Sequence, residues 1–252
     1  MFALQRQQRI AETLKSHGRV TVADLAREFD TSQETIRRDL AVLEEAGGVR
    51  RVHGGAVSGG AVGPEPSMAA RATLRIAEKR RIARAALAHV PSGGTVFLES
   101  ASTSLVLAEM LPDGLATTVV TNGIEIAHHL ASRNFDVVMV GGRVRNRSLA
   151  TLDDWPHPAL AGLHADVAFL GTLGFTVHAG LTAPDLPDAA IKRRCLGVAE
   201  RNVLLAESAK FGAVAPYRYA DLSDFDLLIT DGDLAAAAAE EIGATGIDSI
   251  MA

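Results

Sequence analysis

Apolar positions recur along this chain with two different periods, and the change of period divides it. Up to about residue 57 the spacing is helical. Val22, Leu25, Ala26 and Phe29 recur at i, i+3, i+4 and i+7, and Ile36, Leu40 and Leu43 repeat that rhythm further on. TVADLAREFDTSQETIRRDLAVL therefore reads as two short helices joined by a tight turn. Thr21 is placed to cap the first, with Asp24 in its positive first turn, and Thr31 with Glu34 three residues on forms a capping box for the second. Upstream, Ile10, Ala11 and Leu14 predict a scaffold helix from Leu4 to His17 that Gly18 stops; its Arg6 and Arg9 suit either phosphates or solvent. Downstream, Gly47 and Gly48 end the second helix and VRRVHGG reads as a short hairpin.

Beyond Pro91 the pattern becomes short continuous apolar runs alternating with helical stretches. The runs are Thr95 to Glu99, Thr117 to Thr121, Asp136 to Gly141, Val167 to Gly171, Asn202 to Glu207 and Asp226 to Thr230, as expected of a parallel sheet covered on both faces. Between the two regimes, AVSGGAVGPEPS has the composition of a linker. The next stretch carries Arg71, Arg75, Lys79, Arg80, Arg81 and Arg84 against the lone Glu78. It reads as a solvated helix opening the second domain, in preference to a DNA or inter-subunit contact. The chain thus divides into a small domain over 1–57, a linker over 58–70 and an α/β domain over 71–252.

Composition sharpens this outline. With 252 residues, 48% hydrophobic and 22% charged, the chain can bury a sizeable core. No signal peptide or long apolar span is legible, which predicts a cytoplasmic protein without a membrane partner. The single Cys195 excludes an intramolecular disulfide and reads as packing. A net charge of −5 is unpromising for a nucleic-acid binder, but residues 1–55 hold nine Lys/Arg against eight Asp/Glu, leaving 16 against 22 downstream. The acidity belongs to the second part, and DNA affinity must come from where a few cations sit and from doubling them in an oligomer.

The candidate DNA contacts follow from the second helix. Opposite its apolar stripe stand Arg37 and Arg38, flanked by Ser32, Gln33 and Thr35, with Thr21 nearby; such side chains suit base edges and phosphates when the start of a recognition helix enters the major groove. The hairpin adds Arg50, Arg51 and His53, giving a winged arrangement. TIRRDL followed by RVHGGA resembles the DNA-binding domain of the DeoR family of bacterial transcriptional regulators over about the first 57 residues, departing at Thr31, where the family usually has an apolar residue.

In open parallel sheets ligands bind at the carboxyl ends of the strands. Those ends hold Glu99, Ser100, Ser102, Thr103 and Ser104, then Thr121 and Asn122, then Gly141, Gly142 and Arg143, then Glu207 and Lys210. Hydroxyls and free N–H groups where a strand turns into a helix suit a phosphate, Lys210 can add charge, and the two glutamates can accept from sugar hydroxyls. The order of motifs from about Glu78 onward also resembles the DeoR-family effector domain. That resemblance implies a fold similar to ribose-5-phosphate isomerase and the CoA-transferase group, a phosphorylated-sugar effector, and a role for Lys192. Against the family pattern stand Glu99, Ala101, Asp188, Glu207 and Ala209, which raises the question whether Ala101 strains a position suited to glycine.

Other features are weaker. There is no G-x-G-x-x-G or Walker loop, and no cofactor is expected. His128 and His129 point in different directions on a helix and do not make a metal site. Asp153, Asp154 and His157 around Trp155 read as a mobile loop over the pocket, and AAAAA from Ala235 to Ala239 reads as helix. The reading is a transcriptional regulator, expected to be a repressor, that binds a double-stranded DNA operator, senses a phosphorylated sugar, forms at least a dimer and is not an enzyme. The alternatives are a sugar-phosphate isomerase with a DNA-binding head and a regulator whose second domain only oligomerises.

Overall fold

The computed structural model describes residues 3–17, 19–45, 49–52, 54–58, 65–152, 160 and 162–252. The expected loop of residues 153–158, Gly18, Gly47, Gly48, His53 and the centre of the linker lie outside the described residues.

The N-terminal part has its own core. Helices α1 (Ala3–His17), α2 (Val22–Glu28) and α3 (Gln33–Glu45) enclose Ile10, Leu14, Val22, Leu25, Ile36 and Leu40. Strands β1 (Arg19–Thr21), β2 (Val49–Val52) and β3 (Gly55–Ser58) close it as an antiparallel sheet in the order β1-β3-β2. The hairpin expected from VRRVHGG is β2–β3, and β1, which has only three residues, was not foreseen. Thr21 caps α2 as expected, its hydroxyl accepting from the Asp24 N–H at 3.0 Å. The capping box at Thr31 is corrected. Asp30 turns the chain in the left-handed region (φ 45°), and it is Ser32 whose hydroxyl accepts from the Thr35 N–H at 3.1 Å. The cap therefore falls one residue later, because the turn consumes Thr31 in a bond from its N–H to the Ala26 carbonyl.

Downstream come helices α4 (Met68–Thr73) and α5 (Ile76–Leu87); α4 starts within the segment read as linker. Then strands β4 (Thr95–Leu98), β5 (Thr118–Thr121) and β6 (Asp136–Met139) alternate with helices α6 (Ser102–Met110) and α7 (Ile124–Ala131). A hairpin of β7 (Arg143–Arg145) and β8 (Ala150–Leu152) precedes β9 (Ala165–Gly171). After β10 (Gly174–Thr176) and β11 (Gly180–Ala183) come α8 (Leu186–Leu196), β12 (Ala199–Leu205) and β13 (Tyr217–Ala220). The chain ends with β14 (Leu227–Thr230), α9 (Ala236–Gly243) and β15 (Asp248–Met251).

Among the described residues seven strands form one parallel sheet in the order β15-β14-β12-β9-β4-β5-β6. All six expected runs are in it; β15, whose pattern is mostly exposed, is the addition. Side chains alternate across the sheet, so both faces bury apolar groups. Val96, Leu98, Phe169, Val203 and Leu205 pack under α5, α6 and α7 with Ile82, Leu107 and Leu130. Phe97, Ala168, Leu170, Leu204 and Leu228 pack on the other side with Ile191, Cys195 and Phe175, beneath α8 and the small sheet β10-β11-β13. Cys195 is fully buried there and burial pushes its thiol up, as suits a packing residue.

Candidate functional site

The structure offers two candidate surfaces. On α3, Ile36, Asp39 and Leu40 turn inward while Gln33, Glu34, Arg37 and Arg38 are exposed and Thr35 is half-buried. Arg37 lies 3.5 Å from Glu34, and Arg38 lies 3.8 Å from the same carboxylate. Exposed pairs of this kind contribute little and let the guanidinium groups swing to another partner. Gln33, Thr35, Arg37 and Arg38 thus share one solvent-facing surface, whereas Ser32 and Thr21 spend their hydroxyls on helix caps. Arg51 reaches Glu44 of α3 from the hairpin, its backbone N–H donating at 2.8 Å and its Nε at 2.7 Å, which ties wing to helix and holds that carboxyl below its usual range. Arg50 lies in β2 with its side chain undescribed, and His53 is outside the described residues.

Arg6 does not offer itself to phosphates. Its Nε lies 2.5 Å from buried Asp39, which also accepts from Gln7 at 2.9 Å, so α1 is pinned to the recognition helix from inside. That buried Asp beside two arginines was a signal for an internal partner that the helical pattern alone passed over.

The second surface is a cavity of about 210 Å³ at the carboxyl ends of β4, β9 and β12, lined by Ser102, Thr172, Leu173, Glu207, Ala209 and Lys210 and walled on one side by Pro66, Arg71, Leu74, Arg75 and Lys79. Four cations face it against one carboxylate, in a domain that is acidic as a whole. A smaller recess of about 20 Å³ adjoins through Arg71, Ser102, Thr172, Leu173 and Lys210 and reaches Ser100, Asp188 and Lys192.

Lys79 departs from the expectation of a solvated helix, which Arg75, Arg80, Arg81 and Arg84 meet. It is 2% exposed, lies 3.1 Å from Glu207, and donates to the carbonyls of Arg71, at 2.7 Å, and Leu74, closing the end of α4. Its position three residues after Ile76 and four before Ala83 puts it on the apolar side of α5, and that register was the available signal. Burial draws its ammonium below the ordinary lysine value, more than Glu207 returns. Burial would also raise the carboxyl of Glu207, but Lys210 at 2.6 Å, and then Lys79, outweigh it and hold it at about 2.

Glu99 is 1% exposed, paired with Lys192 at 2.7 Å and accepting from the Gly171 N–H at 3.1 Å. Lys192 is raised above the ordinary lysine value: burial opposes its charge, and Glu99 and then Asp188 overcome that. Burial pushes Asp188 up to about 6 against the pull of Lys192.

Several expected effector residues do not line this cavity. Thr121 donates to the Leu98 carbonyl, and Asn122 accepts from the Ser100 N–H and donates to the Thr151 carbonyl, so both fasten the strand ends. Thr103 and Ser104 are fully buried within α6. Gly141 and Gly142 are exposed beyond β6, and Arg143 borders a separate groove with Arg145 and Asp185. Ala101 is not strained: its φ is −121°, and its methyl group occupies the space that a side chain on Gly171 would need. Among the described residues no cluster could hold a metal ion, and no helix is long and apolar enough to cross a membrane.

Comparison with known proteins covers both parts of the chain. The family model described as the DeoR C terminal sensor domain matches residues 74–232, and that of the DeoR-like helix-turn-helix domain matches residues 6–60. The chain is 32% identical to the HTH-type transcriptional regulator GlpR of Haloferax volcanii over 98% of this chain and 97% of that one. It is 30% identical to the HTH-type transcriptional repressor GlcR of Bacillus subtilis over 92% and 89%, and 30% identical to a putative aga operon transcriptional repressor of Escherichia coli O157:H7 over 98% and 93%. Among solved structures, ribose 5 phosphate isomerase A from Neisseria gonorrhoeae aligns with a TM-score of 0.40 and 16% identity over 53% of this chain and 52% of that one, a likeness that carries no argument about activity. With its helix-turn-helix and wing, its parallel-sheet domain and relatives along nearly its whole length, the chain belongs to the DeoR family of transcriptional regulators.

Proposed function

We propose that this regulator is a repressor of a carbohydrate-related operon, and that a phosphorylated sugar or related anionic metabolite in the cavity at the strand ends releases it from its operator. The observation that carries the reading is the charge of that cavity, four cations against one carboxylate on a domain rich in carboxylates. Local positive charge in a recess concentrates anions, and Arg and Lys donors suit phosphate oxygens. The names of GlcR and of the aga operon repressor support a repressing role and a link to sugars.

The cavity acts as a sensor and not as a catalyst. Its one carboxylate, Glu207, is paired with Lys210 at 2.6 Å, which holds it ionised and weakens it as a proton acceptor. The protein works in the cytoplasm as at least a dimer. Exposed Val138 and Met139 on edge strand β6, with Val144 on the adjoining hairpin, support pairing of two α/β domains.

Fluorescence anisotropy tests this with DNA from upstream of the protein's own gene, titrated in the presence of a panel of sugar phosphates and the matching free sugars. Release of DNA by a phosphorylated compound and not by its free sugar is the expected result. If no member of the panel changes DNA affinity, the reading fails.

A further inference from the structure

Arg71 brings buried, unspent hydrogen-bond donors to the cavity. It lines the cavity, and its Nε and Nη2 are buried with no hydrogen-bond partner among the described residues. Those two nitrogens lie on the same edge of the guanidinium group, so they form a fork for two adjacent oxygens of one anion. The nearest carboxylate is Glu65, 3.5 Å from Nη2, and Glu65 has a closer partner in Arg145 at 2.6 Å. Buried donors left without acceptors carry a desolvation cost that a ligand entering the cavity would remove.

The other charged groups determine which anion fits. Lys210 stands across the cavity from Arg71, paired with Glu207, which Lys79 meets from the Arg71 side, and Arg75 also lines the cavity. With Arg71 and Arg75 counted, four cations face one carboxylate, an excess that suits a doubly charged group.

Resting on the anionic-effector reading above, we infer that Arg71 is a ligand-binding residue that grips the phosphoryl group of the effector through its Nε–Nη2 edge, with Lys210 supplying charge from the opposite wall. Arg71 is on α4, and α4 is the first helix after the linker region, so the ligand is held by the element nearest in sequence to the DNA-binding part. A grip on that helix lets occupancy of the cavity reach the linker without passing through the sheet.

The test uses the full chain with inorganic phosphate as probe, titrated against chloride at constant ionic strength and read by calorimetry. Arg71→Lys keeps the charge but removes the fork, and it should weaken phosphate binding by about tenfold or more, as expected when a bidentate site loses its geometry. Arg80→Ala, on the exposed part of α5 away from the cavity, should leave binding within about twofold, since a screened surface charge contributes little. Because the substitution could disturb α4, the parent protein is also followed by NMR: the Arg71 Nε–H resonance should move as phosphate is added. Phosphate binding unchanged in Arg71→Lys, or an Nε–H resonance that stays still while phosphate binds, overturns the role of Arg71. If phosphate binding is lost in Lys210→Ala and kept in Arg71→Lys, only this inference falls. If the parent binds neither phosphate nor any sugar phosphate, the anionic-effector reading falls with it.

Discussion

The ammonium of Lys79 and the carboxylate of Glu207 meet 3.1 Å apart with side chains only 2% and 5% exposed, joining the helix pair after the linker region to the end of β12. Lys79 also closes α4 through the Arg71 and Leu74 carbonyls, so one buried charge fixes both the wall and the floor of the cavity. Breaking such a pair leaves a buried charge uncompensated, whereas replacing both members with uncharged groups is much less costly.

Glu207→Gln should therefore lower stability by about 3–5 kcal/mol in urea unfolding, and adding Lys79→Met should recover most of that loss. A Glu207→Gln protein that unfolds at the parent's midpoint would show that the pair does not hold the cavity together.

Two buried carboxyls should respond to pH with opposite sign. Asp188 takes its proton at about 6 in place of 3.8, so the stability it contributes is full below pH 3.8 and is lost as pH rises through 6. Glu207 is held at about 2 in place of 4.5, so its contribution is present above pH 4.5 and is lost as pH falls through 2. Relative to the parent, Asp188→Asn should gain stability as pH rises from 4 to 7, and Glu207→Gln should recover relative stability as pH falls below 4.5. Unfolding midpoints measured across that range check both, and parallel profiles for the two variants would contradict the assignment.

On the DNA side, Arg37→Ala and Arg38→Ala should fold as the parent does, because both residues stand on the exposed face of α3. An arginine that reads a base should cost about 1–3 kcal/mol of affinity and relax sequence preference, while one that holds a phosphate should weaken all sequences alike and reduce the salt slope by about one. Binding isotherms at several salt concentrations separate these outcomes, and unchanged affinity in both variants would remove α3 as the reader.

Much of this architecture was legible in the sequence. The i, i+3, i+4 stripes located the helix pair, and six apolar runs located six of the seven sheet strands, because burial on one or two faces writes a period into the residues. What stayed hidden depends on contacts between distant segments. The Ser32 cap depends on a left-handed Asp30, and the ease of Ala101 depends on Gly171 leaving space for its methyl group. The bonds of Thr121 and Asn122 to the backbone of Leu98, Ser100 and Thr151 depend likewise on segments far apart in the sequence. The cavity wall of Arg71, Arg75 and Lys79 was hidden because a run of basic residues resembles a solvated face until the tertiary fold folds it over the strand ends.

Gly55 gives a test of the wing. A side chain there would come within 2.0 Å of the Val20 carbonyl oxygen, and β3 is the central strand of that sheet. Gly55→Ala should displace β1 or β2 and lower operator affinity while leaving phosphate binding intact. Operator affinity equal to the parent's would mean that the wing takes no part in DNA binding.

The most direct measurement of the central claim is operator affinity with and without the releasing sugar phosphate, compared between the parent and Lys210→Ala. In the parent the ligand should weaken DNA binding by a factor of about 5–150, the usual range of coupling between two sites. Lys210→Ala should bind the operator like the parent and respond less than about twofold, because its change lies in the cavity and outside the reader. A Lys210→Ala protein that still releases DNA at the parent's ligand concentration would contradict the account.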